Sequence, residues 1–353
     1  MALRTPTIGL ILIVVSVGVT LLAIESALRL FPGLAGLEQR VDCPTDGTAY
    51  SAIYRAKVSD LDGWRLYVLN AAGHRDTVAS GTRRALVLGD SQTFGVNVDQ
   101  NETFADLLDA SLPDTEFVNV AAPGLGTVDE AVQYIDLDDR FAFVVLGLFT
   151  GNDLRNNARL PPFNESWRAA AEVRNGRVHY RRGSPQGSSD LLERFHTYRL
   201  IDRAWQILAF RAMLNDDLAG RIREAAALTR AVLDDLGART AADGAPLIVV
   251  IIPSRDEAIA GQAAEQRRAL LDSLKAPRPE FRIVDLLPVF HATPRPADLY
   301  GRGDYHLSAA GHRLAAKTIL ATLIDQRLTP PAAIGASLPA DRRLRRLCLA
   351  NSG

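Results

Sequence analysis

The stretch Ala85-Leu86-Val87-Leu88-Gly89-Asp90-Ser91-Gln92-Thr93-Phe94-Gly95 decides the fold. Four apolar residues run without a polar break and stop at Gly-Asp-Ser. A short apolar run bounded by a turn signal reads as a strand buried on both faces. Glycine relieves crowding at the turn, so the serine hydroxyl is left projecting from the carboxyl edge of a sheet. Alone, Gly-Asp-Ser is a weak signal, because turns are rich in these residues.

Downstream, the same strand–helix alternation repeats. The spacing predicts helices over 103–112, 128–135, 224–242, 257–274 and 307–324, and strands over 117–120, 141–149, 247–252 and 281–286. Strands alternating with helices imply an α/β fold: a doubly wound, mainly parallel sheet, here of five strands. Ligands in such folds bind beyond the carboxyl ends of the strands. The polar signals fall at those ends: Asp90-Ser91, Gly124, Asn152-Asp153 and Asp304-Tyr305-His306.

Acyl transfer needs a nucleophile, a base, a group that orients the base and donors for the oxyanion. Ser91 supplies a hydroxyl. Asn119-Val120-Ala121-Ala122-Pro123-Gly124 ends its strand in a glycine whose N–H can approach a substrate. Phe149-Thr150-Gly151-Asn152-Asp153 ends in an amide donor, and Asp304-Tyr305-His306 supplies an acid and a base. Each has a plainer reading: a turn glycine, a helix-capping Asn, a polar loop. Their order and placement at four strand ends argue against coincidence.

These segments resemble the four blocks of the SGNH (GDSL-like) hydrolases, and the resemblance spans roughly residues 81–328. It implies a flavodoxin-like SGNH hydrolase fold, with Ser91 as nucleophile, His306 as base and Asp304 orienting it. It also implies an oxyanion hole from the Ser91 N–H, Gly124 and Asn152. The Gly-Asp-Ser-Gln-Thr-Phe-Gly form and residues 70–75 look like the membrane-anchored bacterial branch. Many family members place two residues between acid and base; Asp304 and His306 have one between them, which leaves Asp298 as a reserve acid. His312 competes as base, but its position inside the closing helix suits packing, whereas the loop position aims His306 at the cleft. His74, His179, His196 and His291 have no partner motif and read as structural. No cluster has metal-ligand spacing, and no metal or cofactor is expected.

Upstream, residues 5–24 hold no charge and are mostly Ile, Leu, Val and Ala. At about 1.5 Å per residue they reach about 30 Å, a bilayer core. Arg4 precedes them, so an uncleaved transmembrane anchor is expected, with its N-terminus cytoplasmic and the catalytic domain exported. A cleaved signal peptide is the rival, but the run is long and Glu25-Ser26-Ala27-Leu28-Arg29 is a poor cleavage site. The expected organisation is an anchor over 5–30, a connecting region over 31–80 and a hydrolase domain over 81–328. A tail over 329–353 follows. An insertion over about 154–245 interrupts the domain, with a hairpin at Asn175-Gly176 and helix from about Leu191.

The 353-residue chain carries 47% apolar and 23% charged residues and a net charge of -1, so it offers no electrostatic footprint for nucleic acid. Its two cysteines, Cys43 and Cys348, either pair in an oxidising compartment or stand as unrelated thiols. The expected activity is hydrolysis of acyl esters, O-acetyl first, on envelope or extracellular glycans. An O-acetyltransferase, a lipase or thioesterase, and a silent glycan-binding module are the alternatives.

Overall fold

The computed structural model describes residues 5–30, 39–43, 50–55, 65–69, 74–75, 83–96, 98–137, 139–158, 168–183, 197–198, 201, 204–205, 208, 218–275, 280–302 and 304–330. In chain order the elements are α1 (Thr5–Leu30), β1 (Gln39–Cys43), β2 (Tyr50–Arg55), β3 (Arg65–Leu69), β4 (Arg83–Gly89), α2 (Ser91–Phe94), α3 (Phe104–Ser111), β5 (Thr115–Asn119), α4 (Thr127–Asp136) and β6 (Phe143–Phe149). There follow α5 (Asp153–Asn157), β7 (Ala170–Arg174), β8 (Arg177–Arg181), α6 (Leu218–Ala242), β9 (Leu247–Ile252), α7 (Arg255–Ala260), α8 (Glu265–Ser273), β10 (Phe281–Asp285), α9 (Leu287–His291) and α10 (Ala309–Asp325).

Five strands form one parallel sheet in the order β10-β9-β6-β4-β5. Every residue of β6 and β9 is buried, as their unbroken apolar sequences require of strands covered on both faces. Side chains alternate between two cores. Ala85, Val87, Phe143 and Val145 meet Phe104 and Leu108 of α3 and Ile319 of α10. Leu86, Leu88, Val144 and Leu146 meet Leu233 and Leu236 of α6 and Leu270 of α8. Each fully buried Leu or Phe contributes about 2 kcal/mol from water exclusion. The chain steps outward from β4 to β5, then returns past β4 to β6. The direction of winding therefore reverses between β4 and β6, where the carboxyl ends of such strands open a crevice.

Several elements differ from expectation. The helix expected over 257–274 is two helices. Ser254 and Glu257 form a capping box that starts α7, and Gly261 ends it in the left-handed conformation at φ 65°. The strand expected from 141 begins at Phe143, and the closing helix starts at Ala309 because the Ser308 side chain caps Gly311 N–H. Upstream of β4, within the expected connecting region, β1, β2 and β3 form a three-stranded antiparallel sheet. β1 (QRVDC) is short and polar, with no apolar run to announce it. The hairpin forms as expected, β7 pairing with β8 through Asn175 and Gly176, both at positive φ.

α1 covers the uncharged N-terminal run and continues through Glu25 to Leu30. Among the described residues no helix is long and apolar enough to cross a membrane; the side chains of α1 are described at 12, 13, 15–27, 29 and 30. Cys348 and the Cys43 side chain lie outside the described residues, and with them the expected pairing.

Candidate active site

β4 ends at Gly89, and α2 begins two residues later with Ser91 as its first residue. Asp90 is the N-cap, its side chain accepting the Gln92 N–H at 2.8 Å. The turn is seated by a small-residue slot. Gly89 and Gly147 are register partners on β4 and β6, and a Cβ added at either would meet Thr93 Oγ1 at 2.1 Å. The side chain of Thr93 fills the space both glycines leave, which draws α2 down onto the sheet.

Ser91 Oγ lies 2.9 Å from His306 Nε2, and His306 Nδ1 lies 2.8 Å from Asp304 Oδ1. The same carboxylate oxygen accepts the backbone N–H of Tyr305 at 2.5 Å and of His306 at 3.0 Å. A carboxylate beside Nδ1 selects the tautomer protonated there, leaving the Nε2 lone pair facing the serine hydroxyl. Hydroxyl, imidazole and carboxylate thus stand in hydrogen-bond sequence, an arrangement able to move a proton off Ser91. Ser91 and His306 are buried yet open onto a cleft of about 650 Å³.

Gly124 and Asn152 line the same cleft. Gly124 sits at φ 86°, a conformation that favours glycine, and its carbonyl accepts from Asn156 Nδ2 at 3.3 Å and from the Arg168 guanidinium. Arg168 also reaches Asp129 at 3.6 Å, so the loop after β5 is held from behind. Asn152 occupies the N-cap position of α5 but makes no side-chain capping bond. Its amide lies instead beside the Asp90 carboxyl. Burial pushes that carboxyl up to about 6, while the Gln92 N–H, His306 and the Asn152 amide pull the other way. Asn152→Ala takes a donor from this buried carboxyl rather than a cap from α5, so it should cost about 1–3 kcal/mol of stability. It should lower kcat by about 10²–10³ if the amide is an oxyanion donor. Measuring kcat and melting temperature on one preparation separates the two roles.

The other acid and base candidates lie elsewhere. His312 is fully buried in α10; its Nδ1 accepts the Phe104 N–H at 3.2 Å, and burial pushes its pKa down to about 3. It is a neutral packed imidazole. Asp298 is paired with Arg295 at 2.9 Å on the surface. His291 Nδ1 sits 3.0 Å from Ala258 O, and His196 lies outside the described residues. Among the described residues no group of His, Cys, Asp and Glu could hold a metal ion.

Two positioning residues escaped sequence reasoning. Gln92 donates to Tyr305 O at 3.1 Å and accepts from Leu307 N–H at 2.9 Å, gripping the chain on either side of His306. It ties the base-bearing loop to the turn that carries Ser91. Gln92→Met should lower kcat by about 10–100-fold through misplacement of the imidazole, with KM little changed. Stability should fall by about 1–2 kcal/mol from the two abandoned backbone groups. An unchanged kcat would limit Gln92 to bracing the fold. Arg75, fully buried, donates to Phe94 O at 2.6 Å, Gly95 O at 2.5 Å, Val98 O at 2.8 Å and Gln100 Oε1 at 2.9 Å. The first two carbonyls are at the end of α2, where unsatisfied acceptors and the helix dipole favour a cation.

No protein-family profile matches the chain, and no curated protein does. Solved structures to which it is similar include an alpha/beta hydrolase enzyme from the metagenome of Lake Arreo, Spain, at 16% identity, covering 69% of this chain and 95% of that one with a TM-score of 0.39. A member of the lipolytic G-D-S-L family from Veillonella parvula matches at 15% identity over 68% and 98%, with a TM-score of 0.37. A catalytic mutant of an acetylxylan esterase from Geobacillus stearothermophilus matches at 16% identity over 69% and 95%, with a TM-score of 0.36. Likenesses this distant carry no functional weight; the placement of Ser91, His306 and Asp304 at the switch point of the sheet does.

Proposed function

We propose that the chain is a serine ester hydrolase of the SGNH type, acting through an acyl-Ser91 intermediate. The observation that carries this reading is the continuous contact from Ser91 Oγ to His306 Nε2 and from His306 Nδ1 to Asp304 Oδ1. Ser91 Oγ attacks the ester carbonyl while its proton passes to His306 Nε2. The negative charge on the carbonyl oxygen is met by the N–H groups of Ser91 and Gly124 and the amide of Asn152. As the tetrahedral species collapses, the ester C–O bond breaks and His306 gives its proton to the departing alkoxide. Water then attacks the acyl-serine, losing its proton to His306, and the acid is released with Ser91 restored.

The favoured substrate is an O-acetyl ester on an envelope or extracellular glycan, met by an enzyme that α1 anchors in a membrane with its catalytic domain exported. Two polar side chains of the cleft favour a polar alcohol portion. Arg155 and Gln266 line the cleft, and Tyr305, stacked at 6.2 Å on Phe149, exposes an aromatic ring beside the imidazole. An aromatic ring with one exposed side suits the apolar face of a sugar. Labelling with a fluorophosphonate, lost in Ser91→Ala, tests the nucleophile. Acetate released from O-acetylated glycans, compared with longer acyl chains on small chromogenic esters, tests the substrate. Acetyl transfer to an added sugar in place of acetate release would make the enzyme a transferase using the same residues. Absence of both labelling and turnover would leave a glycan-binding module.

A further inference from the structure

Outside the cleft, three large apolar side chains stand exposed on one helical stretch. Residues 197, 198, 201, 204, 205 and 208 are helical, and Ile201, Trp205 and Leu208 are 58%, 70% and 56% exposed. Their spacing of four and three residues puts them on one face. Burying such side chains is worth kilocalories, so a soluble surface rarely clusters them.

The stretch is fastened to α1. Glu25 of α1 is 7% exposed, and its Oε2 accepts the Thr197 N–H at 2.9 Å and the Thr197 hydroxyl at 2.5 Å. On α1 the apolar side chains before that point are exposed, from Leu12 at 63% to Leu22 at 65% and Ile24 at 41%. Thr197, at the start of the second stretch, is thus held to α1 next to Ile24, within a run of exposed α1 side chains that continues to Leu30 at 73%. Between 197 and 214 the sequence also carries Arg199, Arg203 and Arg211 against a single acid, Asp202. Tryptophan with neighbouring arginines suits the headgroup boundary of an anionic bilayer.

We propose that the face formed by Ile201, Trp205 and Leu208 docks on the phospholipid surface beside α1, so that the domain rests on the bilayer at a second point. This rests on the reading of α1 as a membrane anchor. The two points differ in kind: α1 crosses the hydrocarbon, and the second face lies in the interfacial layer.

The test uses the full chain reconstituted into vesicles of phosphatidylcholine and phosphatidylglycerol, with or without phosphatidylcholine brominated near the head of its acyl chains. Trp205→Phe isolates the Trp205 emission from that of Trp64 and Trp167, and unchanged turnover of a small chromogenic ester shows that the variant is folded. The expected result is flotation with the vesicles and a Trp205 component quenched about twofold or more by the brominated lipid. Ile201→Asp with Leu208→Asp should abolish that quenching while flotation persists. Flotation with an unquenched Trp205 overturns the docking face and leaves the anchor standing; photocrosslinks at 205 between two chains would then assign the face to a second copy. Failure to float overturns the anchor and the docking face together.

Discussion

Ser91→Ala is expected to lower kcat by about 10⁶ and to leave the fold intact. The change removes one hydroxyl, whose described partner is His306 Nε2 at 2.9 Å. No packing is lost, because the seat of the turn is made by Thr93 against Gly89 and Gly147. The N-cap bond from Asp90 to Gln92 N–H is also untouched. Stability should change by no more than the net worth of one hydrogen bond, about 1 kcal/mol. Circular dichroism and thermal melts on the protein that fails to turn over would establish both halves. Near-normal hydrolysis by a folded Ser91→Ala protein would remove Ser91 from the chemistry, whatever its place at the switch point.

Asp304→Asn is expected to cost about 10⁴ in kcat, because an amide no longer holds the imidazole in the tautomer that accepts the serine proton. The carboxylate is anchored by the N–H groups of Tyr305 and His306 as well as by the ring. An Asn at 304 keeps a carbonyl oxygen for those backbone donors, so the loop should hold its shape. Asp298→Asn serves as the paired control. That residue is engaged with Arg295 and 59% exposed in its side chain, and its replacement should leave kcat within about twofold, as surface changes usually do. A reversed ranking of the two variants would move the acid to 298 and imply that the loop rearranges around substrate.

The strands of the five-stranded sheet and the residues at their ends were legible for the same physical reason. A strand covered on both faces must be apolar throughout, as in Phe143–Phe149 and Leu247–Ile252, so the polar residues that terminate it stand out. Loop against helix likewise separated His306 from His312, and the structure puts the first on the cleft and the second in the core. What stayed hidden depends on partners distant in sequence. Arg75 is one arginine among many until the carbonyls of Phe94, Gly95 and Val98 surround it. Gln92 gains its part only when a loop 213 residues away folds over it. Gly147 reads as a flaw in an apolar strand, and its use appears when Thr93 arrives from β4's side. The break at Gly261 was missed because the apolar spacing of 257–274 continues through it, while capping at Ser254 and the left-handed glycine are local signals that override periodicity.

Arg75 also fixes where the chain can be cut. It lies before β4, outside the repeating strand–helix units, yet its guanidinium is enclosed by the loop that follows Ser91. A recombinant product beginning at residue 81 would keep every strand of the large sheet and lose this cation from the Phe94, Gly95 and Val98 carbonyls. The same holds for cleavage by a protease. Cleavage between α1 and residue 74 releases a domain with its brace in place, whereas cleavage between 76 and 82 severs the covalent hold on that brace. Either cut frees the domain from α1; retention of activity is decided by which side of one arginine the scissile bond falls on.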